Sequence, residues 1–317
     1  MPAKGQTMKE LPLGIDLGAS KLRVTYARLT PDGPRIEAVA SREREEGCTD
    51  EWLAAMLYEM RADLGARTRT CSMALGSEEA TVEAIALPNI SYRERISAAN
   101  IEAQRRHADW RTRLIRLFPT QVQGSFALVT APTAEVSRRK RIAARAGLRL
   151  VMLGIDGVVW NRFQSQKLSV VDIGVSSTRI HTYDRGIPTV ERYPVGGREV
   201  TLEMARALSI DERSAEQRKR ILGSAGAGDR LVGALVAWIA ARCGAREPGN
   251  SGQVLLVGNG SRLPEIRRFL ADLIPQGNWL AAFSEFERSR YPEDIRRAAF
   301  SDWALSIALA SIGDRRP

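Results

Sequence analysis

At 317 residues the chain has room for two domains and for a core that needs no disulfide or metal staple. Three scattered cysteines (Cys48, Cys71, Cys243) and only two histidines (His107, His181) argue against a disulfide framework, a structural metal site and a histidine triad. The net charge of +10, from 47 basic and 37 acidic side chains, admits an anionic partner. Yet the arginines mostly alternate with Glu and Asp, and the one dense cluster, "SRRKR" (Ser137–Arg141), has no aromatic ladder beside it, so no specific nucleic-acid binding is expected.

The first dozen residues lack the apolar core of a signal peptide, and no uncharged apolar run reaches the ~18 residues that cross a bilayer. A cytoplasmic chain without direct membrane insertion is expected. "LGIDLG" and "KLRVTYARL" read as strands, the second with Leu22, Val24 and Tyr26 on one face. The turn "TPDGP" leads to a third strand, "RIEAVASR". "DEWLAAMLYEMRADLG" reads as a helix with Asp50 as N-cap, Trp52, Met56 and Met60 recurring every four residues, and a stop at Gly65; "TCSMALG" is a short buried strand.

An insert then alternates strand "ATVEAIALP", helix "SYRERISAANIEAQRRHADW" with a Ser91/Glu94 capping box, strand "GSFALVTAP" and helix "AEVSRRKRIAARAGL". Strand "RLVMLGID" and helix "GVVWNRFQSQ" follow. "YPVGGREVTLEMARAL" turns at Gly196 and Gly197 into a helix, and "SIDERSAEQRKRI" is a second helix, for which a Ser209/Glu212 capping box is expected. "GSAGAGD" reads as flexible, "RLVGALVAWIAARCG" as an apolar helix and "REPGNSG" as a loop. "QVLLVGNGSRLPEIRRFLADL" is strand, glycine loop and helix, and "FSDWALSIALASIG" is a small-residue helix that Gly313 can end. The alternation predicts an α/β protein with helix-covered sheets.

Two stretches share one plan about half a chain apart: "GIDLGASKLRV" (Gly14–Val24) and "VVDIGVSSTRI" (Val170–Ile180). A pattern that recurs once per half predicts two similar lobes, each offering one copy to a shared ligand. After Gly18 and Gly174, backbone N–H groups and the hydroxyls of Ser20, Ser176, Ser177 and Thr178 can donate to phosphate oxygens. Hydrogen bonds to charged groups contribute roughly 1.5–3 kcal/mol each, so four or five account for micromolar affinity, about −8 kcal/mol, after the losses of binding. Asp16 and Asp172 repel phosphate directly but can reach it through Mg²⁺ and its waters. Both turns lead into strands, unlike a P-loop, whose turn opens a helix. A third turn, "GNGS" (Gly258–Ser261), opens a helix, where bare backbone can lie against a nucleoside.

"GIDLGASKLR", "VVDIGVSSTR" and "LLVGNGSRLPEI" resemble the two phosphate motifs and the adenosine motif of the actin-like ATPase superfamily. Within it the chain most resembles the PilM family of type IV pilus assembly proteins, related to FtsA, over nearly its whole length, including "ALPNISYRERISAANIEAQ", "AARAGLRLVMLGID", "YPVGGREVT" and "WALSIALASIG". The resemblance implies a two-lobed fold of duplicated ribonuclease H-like lobes with an inserted α/β subdomain. The first lobe would take 11–76 and 149–168 around an insert at 77–148. The second would take 169–200 and 251–317, with a reduced cap at 201–250 and the C-terminal helix returning toward the first lobe.

The same resemblance implies ATP and Mg²⁺ as cofactors. Asp16, Gly18, Ser20, Lys21 and Arg23 fall on one phosphate hairpin, and Asp172, Gly174, Ser176, Ser177 and Thr178 on the other. Gly258, Gly260 and Ser261 fall at the adenosine, and Glu216 with Lys219 matches a pair that reaches ribose and base, although the spacing equally fits a surface ion pair. The implied partner is the N-terminal tail of a PilN-like single-pass membrane protein, held between insert and first lobe, as part of a pilus assembly platform peripheral to the inner membrane; self-association is compatible with it. Lys21 and Arg23 depart from the family's small residues, and Asn259 stands for a usual glycine. Asp156 is the candidate general base, with a structural cap as the plainer reading. A sugar or small-metabolite kinase is the alternative, and the cytoplasmic portion of a type II secretion protein a related one.

Overall fold

The computed structural model describes residues 9–31, 33–45, 47–120, 122–160, 168–184, 186–224, 226–243, 253–273, 278–280 and 300–312. The distal part of the "GVVWNRFQSQ" helix, the "REPGNSG" loop and the stop at Gly313 lie outside the described residues. The chain divides into two compact units, Met1–Arg162 with Tyr183–Thr189 and Leu305–Pro317, and Phe163–Thr182 with Val190–Ala304.

The first unit is built on β1 (Lys9–Glu10), β2 (Leu13–Leu17), β3 (Lys21–Thr30), β4 (Gly33–Glu43), β5 (Thr70–Leu75) and β9 (Arg149–Ile155). Their order is β4-β3-β2-β5-β9, with β1 also on β3. β2 and β3 form an antiparallel hairpin, while β2, β5 and β9 run parallel. Helices α1 (Asp50–Asp63) and α3 (Thr133–Arg145) flank this sheet, and its core joins Leu13, Ile15, Val24 and Met73 to Leu53, Leu57, Met60 and Ile142. Two details differ from the sequence reading. Thr49, not Asp50, caps α1 by accepting from the Trp52 N–H, and the fully buried stripe is Leu53, Leu57 and Met60, with Trp52 and Met56 half-buried.

Between β5 and α3 lies a sheet of order β6-β8-β7, made of β6 (Thr81–Ala86), β7 (Arg113–Pro119) and β8 (Ser125–Pro132), covered by α2 (Tyr92–Arg106). The Ser91/Glu94 capping box opens α2 as expected. Strand β7 is an addition to the sequence reading. Leu75, Ala80, Ala131, Val136 and Ile155 pack this sheet continuously onto the rest of the unit.

The second unit holds β10 (Leu168–Ile173), β11 (Thr178–Asp184), β12 (Ile187–Tyr193), β13 (Gln253–Val257) and β14 (Asn278–Leu280), in the order β12-β11-β10-β13-β14. Strand for strand this repeats β4-β3-β2-β5-β9: an antiparallel hairpin, then parallel neighbours on the other side. Helices α5 (Gly197–Leu208), α6 (Glu212–Leu222), α7 (Asp229–Cys243) and α8 (Pro264–Leu273) supply its core with Val200, Met204, Val232, Val236, Ile239 and Ile266. The expected cap of α6 shifts by two residues. Asp211 accepts from the Ser214 N–H, and Ser209 instead closes α5 in the left-handed region at φ 53°. The "GSAGAGD" stretch is better anchored than expected, since Ser224 is buried and its N–H donates to Glu265.

The C-terminal helix (Phe300–Ile312) lays Ser306 and Ala310 directly on β2. A Cβ at Gly14 would lie 1.8 Å from the Ser306 carbonyl oxygen, so only glycine permits this approach. The hydroxyls of Thr25 and Ser306 close the contact with a buried hydrogen bond of 2.8 Å.

Candidate nucleotide-binding site

Each hairpin places its aspartate one residue from the end of a buried central strand. Asp16 pairs across the ladder with Arg23, and Asp172 with Arg179, seven residues on in both cases. The register therefore puts one guanidinium beside each carboxylate: Arg23 Nη1 donates to Asp16 Oδ2 at 3.1 Å, and Arg179 Nη2 to Asp172 Oδ2 at 2.5 Å. These charges are largely buried, with side-chain exposures of 15% and 8% for Asp16 and Arg23, and 14% and 18% for Asp172 and Arg179. Arg179 was not singled out from the sequence; the shared Asp-to-Arg spacing of the two motifs was the available signal.

At the first turn Arg44 backs the hairpin. Its N–H donates to the Ser20 carbonyl at 2.8 Å, its guanidinium to the Gly18 carbonyl at 3.2 Å and to Cys48 Sγ at 3.0 Å. Lys21 pairs with Glu43 at 3.3 Å. The turn is thus ringed by Lys21, Arg23 and Arg44, and Ser20 sits half-buried within it.

At the second turn Gly174 N–H donates to the Ser177 carbonyl. Ser176 is exposed and Ser177 half-buried, whereas Thr178 is fully buried and gives its hydroxyl proton to the Val195 carbonyl at 2.8 Å. The N-terminus of α5 rests on this turn, with the Gly197 and Arg198 N–H groups donating to the Gly174 and Val175 carbonyls. Lys219 clamps the arrangement. It is 8% exposed, and its ammonium donates at 2.6 Å to the Gly197 carbonyl and to Thr201 Oγ1, and pairs with Glu216 at 2.6 Å. Burial alone would raise the Glu216 carboxyl, but Lys219, Thr201 and Arg220 outweigh it and hold the group below its ordinary value. The Glu216–Lys219 pair is therefore a brace between α5 and α6 beneath the second hairpin.

The third turn lies against that hairpin too. A Cβ on Gly258 would come within 2.5 Å of the Ile173 carbonyl oxygen and 2.6 Å of Asp172 Oδ1, and one on Gly260 within 2.3 Å of Ile173 Cγ2. Both glycines thus let the turn seat on the strand that carries Asp172. The left-handed residue is Gly258, at φ 82°, and not Asn259. Ser261 is buried and donates to the Gly258 carbonyl at 2.7 Å.

Asp156 opens the short helix α4 (Asp156–Trp160) at 3% exposure, accepting from Ser77 Oγ and from the Gly157 N–H. The carboxylate thus ties the start of α4 to Ser77 at the start of the insert. Among the described residues no group of three or more His, Cys, Asp or Glu side chains could hold a metal ion. The two aspartates expected to reach Mg²⁺ each already carry an arginine.

Two copies of one five-strand topology, each led by an Asp-x-Gly hairpin and one followed by a seated glycine turn, define an α/β protein of the actin-like ATPase fold. Among solved structures the chain is similar to a chain of the "PilM-PilN type IV pilus biogenesis complex", with 20% identity over 96% of this chain and 99% of that one and a TM-score of 0.79. It is also similar to the ethanolamine utilization protein EutJ from Carboxydothermus hydrogenoformans, with 15% identity over 99% of this chain and 91% of that one and a TM-score of 0.61. At these identities the likeness defines the fold. No protein family and no curated protein sequence matches the chain.

Proposed function

We propose that the chain is an ATP-binding actin-like scaffold of a type IV pilus or related secretion assembly platform, which holds the N-terminal tail of a PilN-like membrane protein. The observation that carries this reading is the match to the PilM-PilN complex over essentially both full chains. The hairpin pair supports the nucleotide part: Gly18, Ser20, Lys21 and Arg23 on one turn, and Gly174, Ser176 and Ser177 on the other, are the phosphate ligands. On each hairpin the aspartate, Asp16 or Asp172, is the residue that would meet the waters of a phosphate-bound Mg²⁺, which would offset the phosphate charge. The third turn, Gly258–Ser261, takes the adenosine side, and Glu216 and Lys219 on α6 brace the second hairpin through α5.

The scaffold role is favoured over a kinase by Asp156, whose carboxylate already serves Ser77 and Gly157. A kinase needs a carboxylate poised to take the acceptor's proton. Slow or absent turnover does not harm a scaffold, because nucleotide acts by favouring one conformation. In this reading the chain reaches the inner membrane through its partner; no helix among the described residues is long and apolar enough to cross a membrane. The insert and its junction with β5 and β9 form the tail-binding region.

Two measurements test the reading. Pull-down with a synthetic N-terminal tail of a PilN-like protein should retain the chain, and a variant lacking the insert should lose it; equal retention of both refutes the assignment. ATP consumption that rises sharply on adding a sugar would replace the scaffold with the kinase.

A further inference from the structure

Resting on the reading that the chain works beside the inner membrane, we propose that its first unit makes a second contact there. A rim of exposed basic side chains (Arg67, Arg69, Lys140, Arg141 and Arg149) docks on anionic phospholipid headgroups. The basic run "SRRKR" divides its cations between two tasks. Arg138 pairs with Asp50 at 2.8 Å and the buried Arg139 with Glu79 at 2.9 Å, so these two tie α3 to α1 and to the start of the insert. Lys140 and Arg141 are exposed and have no ion pair among the described residues, and the same holds for Arg67, Arg69 and Arg149.

The topology gathers these residues at one end of the first unit's sheet. Helices α1 and α3 each close on a left-handed glycine, Gly65 at φ 61° and Gly147 at φ 69°, and each leads within a few residues into a strand, β5 or β9. Those strands are parallel neighbours, so both begin at the same end. The Arg149 N–H donates to the Arg69 carbonyl at 2.7 Å, and the Thr68 and Thr70 hydroxyls bond each other at 3.0 Å, which fixes the entry to β5 beside Arg67 and Arg69. Arg141 stands one turn before Arg145, the last residue of α3. Two acids at this end, Asp63 and Glu51, already pair with Arg42 and Arg145.

Exposed cations gathered in this way repel one another, and an anionic surface relieves the repulsion. The rim offers charge without an aromatic ladder, and the partner's tail holds the chain near a bilayer; both favour lipid over nucleic acid. Each Lys or Arg near an anionic bilayer contributes about 1 kcal/mol. The rim alone therefore binds weakly and reversibly, and it strengthens attachment when tail and bilayer are engaged together.

The test is cosedimentation of the full chain with phosphatidylcholine vesicles, with and without equimolar phosphatidylglycerol. The native chain should bind the phosphatidylglycerol vesicles at about 0.05 M salt, leave them at about 0.5 M, and ignore pure phosphatidylcholine. The triple variant Arg67→Glu, Arg69→Glu, Arg149→Glu should bind at least about tenfold more weakly. A control with Arg192→Glu, Arg213→Glu and Arg218→Glu removes the same charge from exposed positions of the second unit and should stay within about threefold of native. Lys140→Glu with Arg141→Glu, expected to lose about tenfold, serves if melting curves show that the triple variant fails to fold.

Equal loss in the rim and control variants overturns the proposal, since net charge and not the rim would then bind. A native chain that phosphatidylglycerol vesicles do not retain at low salt overturns it too, and leaves standing the tail-binding scaffold, which the pull-down tests without lipid. Duplex DNA that displaces the vesicles and binds with the same dependence on the rim overturns the lipid assignment in favour of nucleic acid.

Discussion

Gly260 touches Ile173 so closely that one added methyl has nowhere to go. Overpacking of this kind costs about 1–3 kcal/mol, so Gly260→Ala should lower the melting temperature measurably, whereas Gly233→Ala, which meets nothing within 4 Å, should not. Lys219 sets a second residue-scale expectation. Lys219→Met removes the buried ammonium that donates to the Gly197 carbonyl and Thr201 and pairs with Glu216, at about 1–3 kcal/mol by urea denaturation. Sequence reasoning found most of the residues at the turns but not what their side chains do. Spacing tells that Thr178 and Ser261 carry hydroxyls near a glycine; it does not tell that both protons are given to main-chain carbonyls. Arg179 was legible only by laying the two motifs side by side, because its role comes from the ladder register and not from its own neighbours.

At the scale of elements, the hairpins, α2 with its capping box, and the small-residue C-terminal helix were all readable, each for a physical reason. Period-two patterns mark strands, Ser-x-x-Glu marks a helix start, and small residues mark close packing, here onto Gly14. Strand β7 was not readable, because "RLIRLFP" is half-buried along most of its length and lacks clean alternation. The α5–α6 brace predicts a pH effect. The Glu216 carboxyl titrates lower in the folded protein than its ordinary value, so the unfolded chain binds its proton first. Its stabilising share is present above the ordinary carboxylate range and is lost as pH falls through the folded value. Melting temperature against pH should therefore fall less steeply at the acid end in Glu216→Gln than in the native chain; superimposable slopes would refute the brace. Gly14→Ala should be far more damaging than Gly260→Ala, because it pushes the C-terminal helix off β2 and breaks the Thr25–Ser306 bond.

At the scale of the whole molecule, the duplication was visible in two short motifs half a chain apart, and the strand orders β4-β3-β2-β5-β9 and β12-β11-β10-β13-β14 give it structural form. Only the hairpins carried the repeat in sequence, because they bear the charged and glycine positions; the helices around them need only be apolar on one face. The account's central claim is that these repeated hairpins are phosphate-binding elements for a nucleotide. Calorimetric titration of the full chain with Mg-ATP tests it most directly: the account predicts saturable one-to-one binding with Kd on the order of micromolar. A folded chain that gives no heat and no shift in melting temperature at millimolar ATP would contradict it.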